Sequence, residues 1–215
     1  METYTNKFHS KNLYIKIKDM SQIKPEDFDK LIKKSGKALQ IGLYSDQEDV
    51  IAFIKKCGFS LRRVTYELEV GKDDLKKPLI DEGLKLKKTT KGQKSYHTCL
   101  KLLYDYYKKT HQSINPLSVG LEEFARVIPE NAIYYEEKGQ IIFAAFLEAD
   151  EIAYLAGFDL KNPKNLIGAT LLEAYKTNDK IYFEADSTDP LASMMKDFFK
   201  ENSEPTYDCY VKARF

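Results

Sequence analysis

The chain has 215 residues, of which 43% are hydrophobic and 31% are charged, a composition typical of a soluble globular protein with one large domain or two small ones. Its net charge of +1 gives no overall attraction to nucleic acid or to an anionic membrane, so we expect neither as a partner. Cys57, Cys99 and Cys209 are widely spaced, which favours buried, reduced thiols in a cytoplasmic protein, and no Cys or His spacing predicts a metal site.

The first third of the chain alternates short strands with amphipathic helices. Leu13–Lys18 has the alternating pattern of a half-buried strand, and Pro25 opens a helix that carries acidic residues in its first turn. Ala38–Leu43 is a second predicted strand. Ser45–Glu48 has the spacing of a capping box and predicts the start of a second helix. Leu61–Val70 alternates again and predicts a third strand.

The middle of the chain begins with a break in this pattern. Residues 71–81 are polar, rich in lysine and contain a proline, which predicts a linker with a solvated surface. Leu84–Lys88 is the next predicted strand. Apolar residues at helical spacing then predict a helix from Ser95 to about His111.

The stretch from Gln140 to Tyr175 has the most informative pattern in the sequence. The apolar run Ile141–Leu147 is too short to span a membrane and predicts a buried strand. A short polar break separates it from a second apolar run, Glu151–Phe158, so the two runs predict an antiparallel hairpin. Asn162 and Pro163 then predict a helix start, where unpaired N–H groups favour an anion.

This order of strand, strand, turn and helix resembles the GNAT acetyltransferase superfamily. In that family a strand pairs with the pantetheine arm of acetyl-CoA, and an Arg/Gln-x-x-Gly-x-Gly/Ala turn holds the pyrophosphate. The motif falls on Pro163–Gly168, where Gly168 matches, while Pro163 and Leu166 depart from it. The resemblance implies acetyl-CoA as cosubstrate, with these contacts: Ala156, Gly157, Phe158, Lys161, Lys164, Asn165, Leu166, Ile167, Gly168 and Ala169.

A second resemblance suggests two related copies. Phe53–Val70 is similar to the helix, Gly-Phe and strand that close many GNAT domains, and Phe198–Val211 repeats its pattern. We therefore predict an α/β fold with a GNAT-like mixed, mostly antiparallel central sheet flanked by helices. It would comprise a truncated half-domain over 1–71, a linker over 72–83 and a full acetyltransferase domain over 84–215.

Acetyl transfer requires a neutral amine, a polarised thioester carbonyl and a protonated or stabilised leaving thiolate. The family resemblance places the catalytic candidates near two neighbouring strands: Glu148 and Asp186 as carboxylates, with Glu151 and Glu184 as alternatives, and Tyr154 as a hydroxyl donor. The alternative interpretations are a solvated turn for Glu148, a turn cap for Asp186 and a sheet aromatic for Tyr154.

Two further features bear on the chemistry. The tyrosine that often serves as the family's acid falls on Phe199 in the second copy and on Ile54 in the first, and neither has a proton to donate. Three tyrosines of the predicted helix either line an acceptor pocket or, for at least two of them, pack on the sheet: Tyr104, Tyr106 and Tyr107.

Two functions are consistent with these residues. The first is an acetyl-CoA-dependent N-acetyltransferase acting on a small amine. The second is a binding or regulatory module that keeps the fold without turnover. We expect a cytoplasmic protein, as a monomer or a homodimer, and a nucleic-acid binder is the least favoured interpretation.

Overall fold

The structure is a computed structural model that describes residues 1–213. Contacts divide the chain into two compact units, and both are assembled from separate stretches of sequence. Unit 1 comprises 1–66, 111–119 and 204–213, and unit 2 comprises 67–110 and 120–203.

Unit 1 is a sheet with two helices. Its strands are ordered β1-β2-β3-β10-β4, with β2 and β3 parallel and the other neighbours antiparallel. The long strand β4 continues into unit 2 from Glu67 onward. The elements are β1 (Glu2–Tyr4), β2 (Asn12–Lys16), α1 (Pro25–Ser35), β3 (Ala38–Tyr44), α2 (Glu48–Lys56), β4 (Ser60–Gly71) and β10 (Tyr207–Lys212).

The core of unit 1 lies between its helices and one face of the sheet. The predicted start of α1 at Pro25 is confirmed, and α1 ends where Gly36 adopts a left-handed conformation and donates its N–H to Ile32 O. Phe28 of α1 is fully buried and packs edge-on against Phe59, with ring centroids 5.1 Å apart. The aliphatic side chains of β3 complete this core.

Unit 2 is a larger sheet flanked by helices. Its strands are ordered β4-β9-β8-β7-β6-β5. The pair β8–β9 is parallel, whereas the pairs β5–β6, β6–β7 and β7–β8 are antiparallel. Beyond β4, its elements are β5 (Lys87–Thr90), α3 (Lys94–His111, of which Thr110 is the last residue in unit 2), α4 (Leu121–Phe124), β6 (Asn131–Glu137), β7 (Gln140–Glu148), β8 (Glu151–Gly157), α5 (Pro163–Ala174), β9 (Lys180–Asp186) and α6 (Pro190–Lys196).

The predicted hairpin and the helix after it are confirmed as β7, β8 and α5. Phe143, Ala144, Ala145 and Phe146 are completely buried, so the centre of β7 is covered on both faces. This burial explains why β7 reads as a continuous apolar run rather than an alternating one.

Two predictions of local structure are wrong. The capping box at Ser45 does not form, because Ser45 Oγ accepts the Thr206 N–H and no side chain caps α2. The strand predicted at Leu84–Lys88 lies instead at Lys87–Thr90, in register with β6. Pairing with a neighbouring strand therefore outweighs the local alternation of apolar residues.

The observed units differ from consecutive domains. Residues 204–213 belong to unit 1 because β10 pairs with both β3 and β4, whereas the predicted full domain runs unbroken over 84–215. The division into a half-domain over 1–71, a linker over 72–83 and a full domain over 84–215 stays a prediction.

The cysteines and the helices can be compared with what the composition predicts. Cys57, Cys99 and Cys209 are all buried, as predicted, and Cys209 Sγ accepts a hydrogen bond from Gln40 Nε2. Within residues 1–213, no helix combines the length and the apolar character needed to cross a bilayer.

Two glycines of unit 2 should respond oppositely to substitution by alanine. A Cβ on Gly157 would lie 2.8 Å from Leu160 Cδ1 and 3.0 Å from Ile142 O, whereas a Cβ on Gly168 would meet the Phe198 ring at 3.7 Å, an ordinary contact. Gly157→Ala should lower the free energy of unfolding by about 1–3 kcal/mol because the site is overpacked. Gly168→Ala should raise it by about 0.5–1 kcal/mol because alanine favours a helix interior. Urea unfolding of both variants measures this difference, and equal changes would contradict it.

Candidate functional site

The parallel strands β8 and β9 separate almost as soon as they meet. Across the described lengths of both strands, they are paired only at Glu151 and Tyr182, where Tyr182 N–H donates to Asp150 O at 3.0 Å. Helix α5 connects the end of β8 to the start of β9. We call the gap that follows the paired position the β8–β9 opening; it leaves an edge of β8 without a strand partner.

Carboxylates and tyrosines gather at this opening from three strands. Glu151 and Tyr154 come from β8, Tyr182 and Glu184 from β9, and Glu67 from β4. Partial burial raises the pKa of Glu184, and the charges of Asp186 and Glu67 raise it further. Burial also raises the pKa of Tyr154, and the charges of Glu151 and Glu184 add to that effect. These groups therefore lie within electrostatic reach of one another.

The predicted carboxylates Glu148 and Asp186 act electrostatically on two members of this group. Glu148 is exposed at the end of β7, opposite Glu151, and its charge contributes to raising the pKa of Glu151 after the larger effect of burial. Asp186 ends β9, and its backbone oxygen accepts the N–H of Asp189 at 2.9 Å. Each carboxylate thus raises the pKa of a neighbouring glutamate, Glu151 for Glu148 and Glu184 for Asp186.

The tyrosines of α3 divide between packing and the opening. Tyr107 is half-buried, and its ring lies 6.3 Å from Tyr154 and 5.2 Å from Phe124. Tyr104 packs on the same Phe124 ring at 5.6 Å. Tyr107 therefore places an aromatic surface beside Tyr154, while Tyr104 serves to dock α4.

The third tyrosine, Tyr106, forms a buried pair with Asp189. Its hydroxyl donates to Asp189 Oδ1 at 2.7 Å and accepts the Leu191 N–H at 3.3 Å. The same carboxylate caps α6 by accepting from the N–H groups of Leu191 and Ala192. Burial raises the pKa of Asp189, and the hydrogen bonds from Tyr106 and from the backbone counteract part of that rise.

The turn between β8 and α5 contains the basic residues predicted to meet an anion. Phe158 packs edge-on against Tyr106, with ring centroids 5.6 Å apart. Lys161 is exposed and pairs with Glu137 at 3.6 Å, and Lys164 is exposed in the first turn of α5. Asn162 precedes the helix without a side-chain cap, so the first N–H groups of α5 receive no side-chain oxygen from it.

The remaining residues predicted to contact acetyl-CoA are mostly internal. Ala156 and Gly157 are buried at the end of β8, and Asn165 and Ala169 are half-buried on α5. The segment 166–168 is buried inside α5, and Gly168 is the sixth residue of that helix rather than part of its entry turn. Burial therefore leaves the turn before α5, rather than these three positions, facing solvent.

Phe199 and Ile54, the two positions on which the proton-donating tyrosine of the GNAT resemblance falls, are also buried. Phe199 is 1% exposed and packs against Phe183 at 5.6 Å, after α6 has ended. Ile54 is completely buried within α2. Among the described residues, no group of three or more His, Cys, Asp or Glu side chains is placed to hold a metal ion.

Several solved acetyltransferase structures have a fold similar to that of this chain. A GCN5-related N-acetyltransferase from Sphaerobacter thermophilus matches 99% of this chain and 75% of its own, with a TM-score of 0.58 and 9% identity. A GCN5-related N-acetyltransferase from Kribbella flavida matches 94% and 80%, with a TM-score of 0.52 and 10% identity. A GNAT-family acetyltransferase from Colwellia psychrerythraea matches 98% and 80%, with a TM-score of 0.53 and 8% identity.

At these identities the likeness concerns the fold: the chain shares the mixed α/β fold of these acetyltransferases. No family model and no curated protein matches the sequence.

Sequence reasoning missed two parts of this site. It did not pair Tyr106 with Asp189, because 83 residues separate the two side chains. It also did not place Glu67 beside Glu184, because Glu67 belongs to a strand on the opposite side of the predicted linker. No local pattern in the sequence signals either contact.

Tyr106→Phe tests how far the start of α6 depends on the buried pair. Loss of the hydroxyl removes a hydrogen bond to a buried carboxylate, so the free energy of unfolding should fall by about 1–2 kcal/mol at neutral pH. Because that bond favours ionised Asp189, the loss should shrink as the pH falls through the aspartate pKa. Urea unfolding at several pH values measures it.

Tyr134→Phe is the matched control, since the Tyr134 hydroxyl bonds no other described residue. A loss of equal size in both variants, or one that does not depend on pH, would contradict the role of the pair.

Proposed function

We propose that the chain is an acetyl-CoA-dependent N-acetyltransferase that acts on a small amine, with its active site at the β8–β9 opening of unit 2. The observation that carries the proposal is the single paired position between β8 and β9, which opens the sheet beside Tyr154 and the carboxylates. The fold shared with solved acetyltransferases supports the reaction class by analogy.

The residues around the opening fit acetyl-CoA, which would supply the thioester-bound acetyl group. The free edge of β8 near Ala156 and Gly157 offers backbone groups to an extended amide chain, as an added strand would use them. The turn before α5 offers helix N–H groups and the ammonium groups of Lys161 and Lys164 to a diphosphate. Pro163 provides no N–H, so this turn has one donor fewer than a helix start without proline.

The carboxylates at the opening suit a cationic acceptor. Glu151 and Glu184 would attract an ammonium group and accept a proton from it, and their raised pKa values make them stronger bases than ordinary glutamates. Glu148 and Asp186 would act through them, because each raises the pKa of its neighbour. The Tyr154 hydroxyl remains protonated at neutral pH, since its pKa is raised, and can donate a proton or a hydrogen bond.

The alternative is a binding module that keeps the fold without turnover. It is favoured by the burial of Phe199 and by the departures from the family motif at Pro163 and Leu166. The two functions differ in a single measurement: the module would bind acetyl-CoA without transferring the acetyl group to any amine. A cytoplasmic location and a homodimer stay predictions.

We also propose that unit 1 derives from a truncated copy of the same fold. The series β2-α1-β3-α2-β4 has the same order as β8-α5-β9-α6-β10, and in each the first two strands are parallel. The closing strands are exchanged: β10 lies beside β3, and the second part of β4 lies beside β9. This shared order of elements supports a common origin for Phe53–Val70 and Phe198–Val211.

The first functional test concerns the turn before α5. Lys161→Glu combined with Lys164→Glu should weaken CoA binding at least about tenfold, because two charge-assisted contacts with phosphate are lost. Isothermal titration calorimetry of the intact protein and the variant measures the dissociation constants. The matched control is Lys85→Glu combined with Lys94→Glu, an equal change of charge in the same unit. Equal weakening in both variants would exclude the turn as the site.

The second test concerns the proton acceptor. With acetyl-CoA and a panel of small primary amines and diamines, Glu184→Gln should lower kcat/KM by about 100-fold, a usual contribution of a general base. Glu122→Gln, an exposed glutamate on α4, should leave it unchanged. Asp186→Asn should move the acidic limb of the pH–rate profile to lower pH, because it removes a charge that raises the pKa of Glu184. An unshifted limb would contradict this role.

A further inference from the structure

A pocket of about 720 Å³ lies within unit 1, away from the helix-covered core. It is formed where β2, β3 and β4 begin and where β10 ends, and the segment 112–116 supplies one wall. Its volume is in the range of about 300–1,000 Å³ that is typical of small-molecule sites, and is far larger than a single ion needs.

The charged side chains described in the lining of this pocket are all positive. Lys11, Lys37 and Arg62 line it, and no Asp or Glu is among its lining residues. The other polar lining comes mainly from serine hydroxyls and side-chain amides, which remain neutral. Unit 1 as a whole has fifteen Lys and Arg residues against ten Asp and Glu residues, counted over the full sequence. The pocket therefore concentrates a positive charge that the whole unit shares.

Two of the three cations have no partner in the described part of the chain. Within residues 1–213, the side chains of Lys11 and Arg62 form no hydrogen bond or ion pair. Lys37 Nζ donates to Ser10 O at 2.6 Å, which fixes its position and leaves two of its three N–H donors available. Among the lining residues that the structure describes, the pocket thus offers a guanidinium and two ammonium groups and no side-chain carboxylate.

The end of α1 contributes Ser35 and Gly36 to the pocket and opposes an anion, because helix C-termini carry partial negative charge. Here two of the terminal carbonyls are already occupied. Gly36 N–H donates to Ile32 O at 2.8 Å, and Ser35 Oγ donates to Leu31 O at 2.8 Å. These bonds satisfy two carbonyls at the end of α1, which reduces its opposition to an anion beside the three cations.

We propose that this pocket binds a small organic phosphate. Three positive charges match a phosphate ester or diphosphate better than a carboxylate, which carries a single charge, and arginine pairs with phosphate through two parallel hydrogen bonds. The apolar part of such a ligand would contact Ile114, Pro116 and Val211, which line the same pocket. The site belongs to unit 1 and does not rest on the acetyltransferase proposal.

The test uses phenyl phosphate, inorganic phosphate and benzoate as probes of the full-length protein, with binding followed by calorimetry and by amide chemical shifts. Phenyl phosphate should bind more tightly than inorganic phosphate, because its ring contacts the apolar wall, and more tightly than benzoate, because of its second charge. Added salt should weaken its binding through screening. Shifts should concentrate at residues 35–38, 58–62 and 112–116.

Three single variants locate the site. Arg62→Gln and Lys11→Gln should each weaken phenyl phosphate binding about tenfold, because each removes one charge-assisted contact. Lys16→Gln is the control: it is exposed at the far end of β2, outside the pocket, and removes the same charge. Its effect should stay below about twofold, as expected for a screened, distant charge.

The side chains of Arg62 and Lys11 have no described partner, so Arg62→Gln and Lys11→Gln should both keep the unfolding midpoint of the wild type. Equal weakening in all three variants, shifts outside the pocket, benzoate binding as tightly as phenyl phosphate, or no binding at millimolar phenyl phosphate would each overturn the proposal.

Discussion

The early separation of β8 and β9 is the constraint on which the rest of unit 2 depends. Two consecutive parallel strands need a crossover, and here α5 supplies it. The ladder between the two strands contains one pair, Glu151 and Tyr182. The strands diverge, and β8 keeps an edge with unpaired backbone groups beside the start of α5. An extended ligand can satisfy those groups, whereas a continuous ladder would leave none available.

The same divergence explains the electrostatics of the opening. Glu151 and Glu184 project from strands that converge at one end. Burial raises the pKa of Glu184, and the charges of Asp186, Glu67 and Glu151 raise it further. Such crowding is unfavourable for the folded state, because ionised neighbours repel in a partly desolvated place. Groups with perturbed pKa values cluster at functional sites more often than elsewhere, which favours this opening as the place of acetyl transfer. Tyr154 adds the only hydroxyl of β8 to the same place.

Unit 1 depends on strands from distant parts of the chain. Its sheet places β10, at the end of the sequence, between β3 and β4, from the first third. Such non-local pairings cost more loop-closure entropy than hairpins do, and topologies rich in them fold slowly. The order of strands also brings together the beginnings of β2, β3 and β4, and with them the cations of the basic pocket, which no short segment of sequence contains.

Local sequence determined the helices and hairpins of this protein. Proline at a helix start marks α1, α5 and α6, and the unbroken apolar run of β7 reflects burial on both faces. These signals act over a few residues, through backbone dihedrals and side-chain burial. Tertiary structure alone decided the partner strands of β10, the hydrogen bond between Tyr106 and Asp189, and the pocket that joins Lys11 to Arg62. The physical reason is that each depends on packing between segments that are far apart in the sequence.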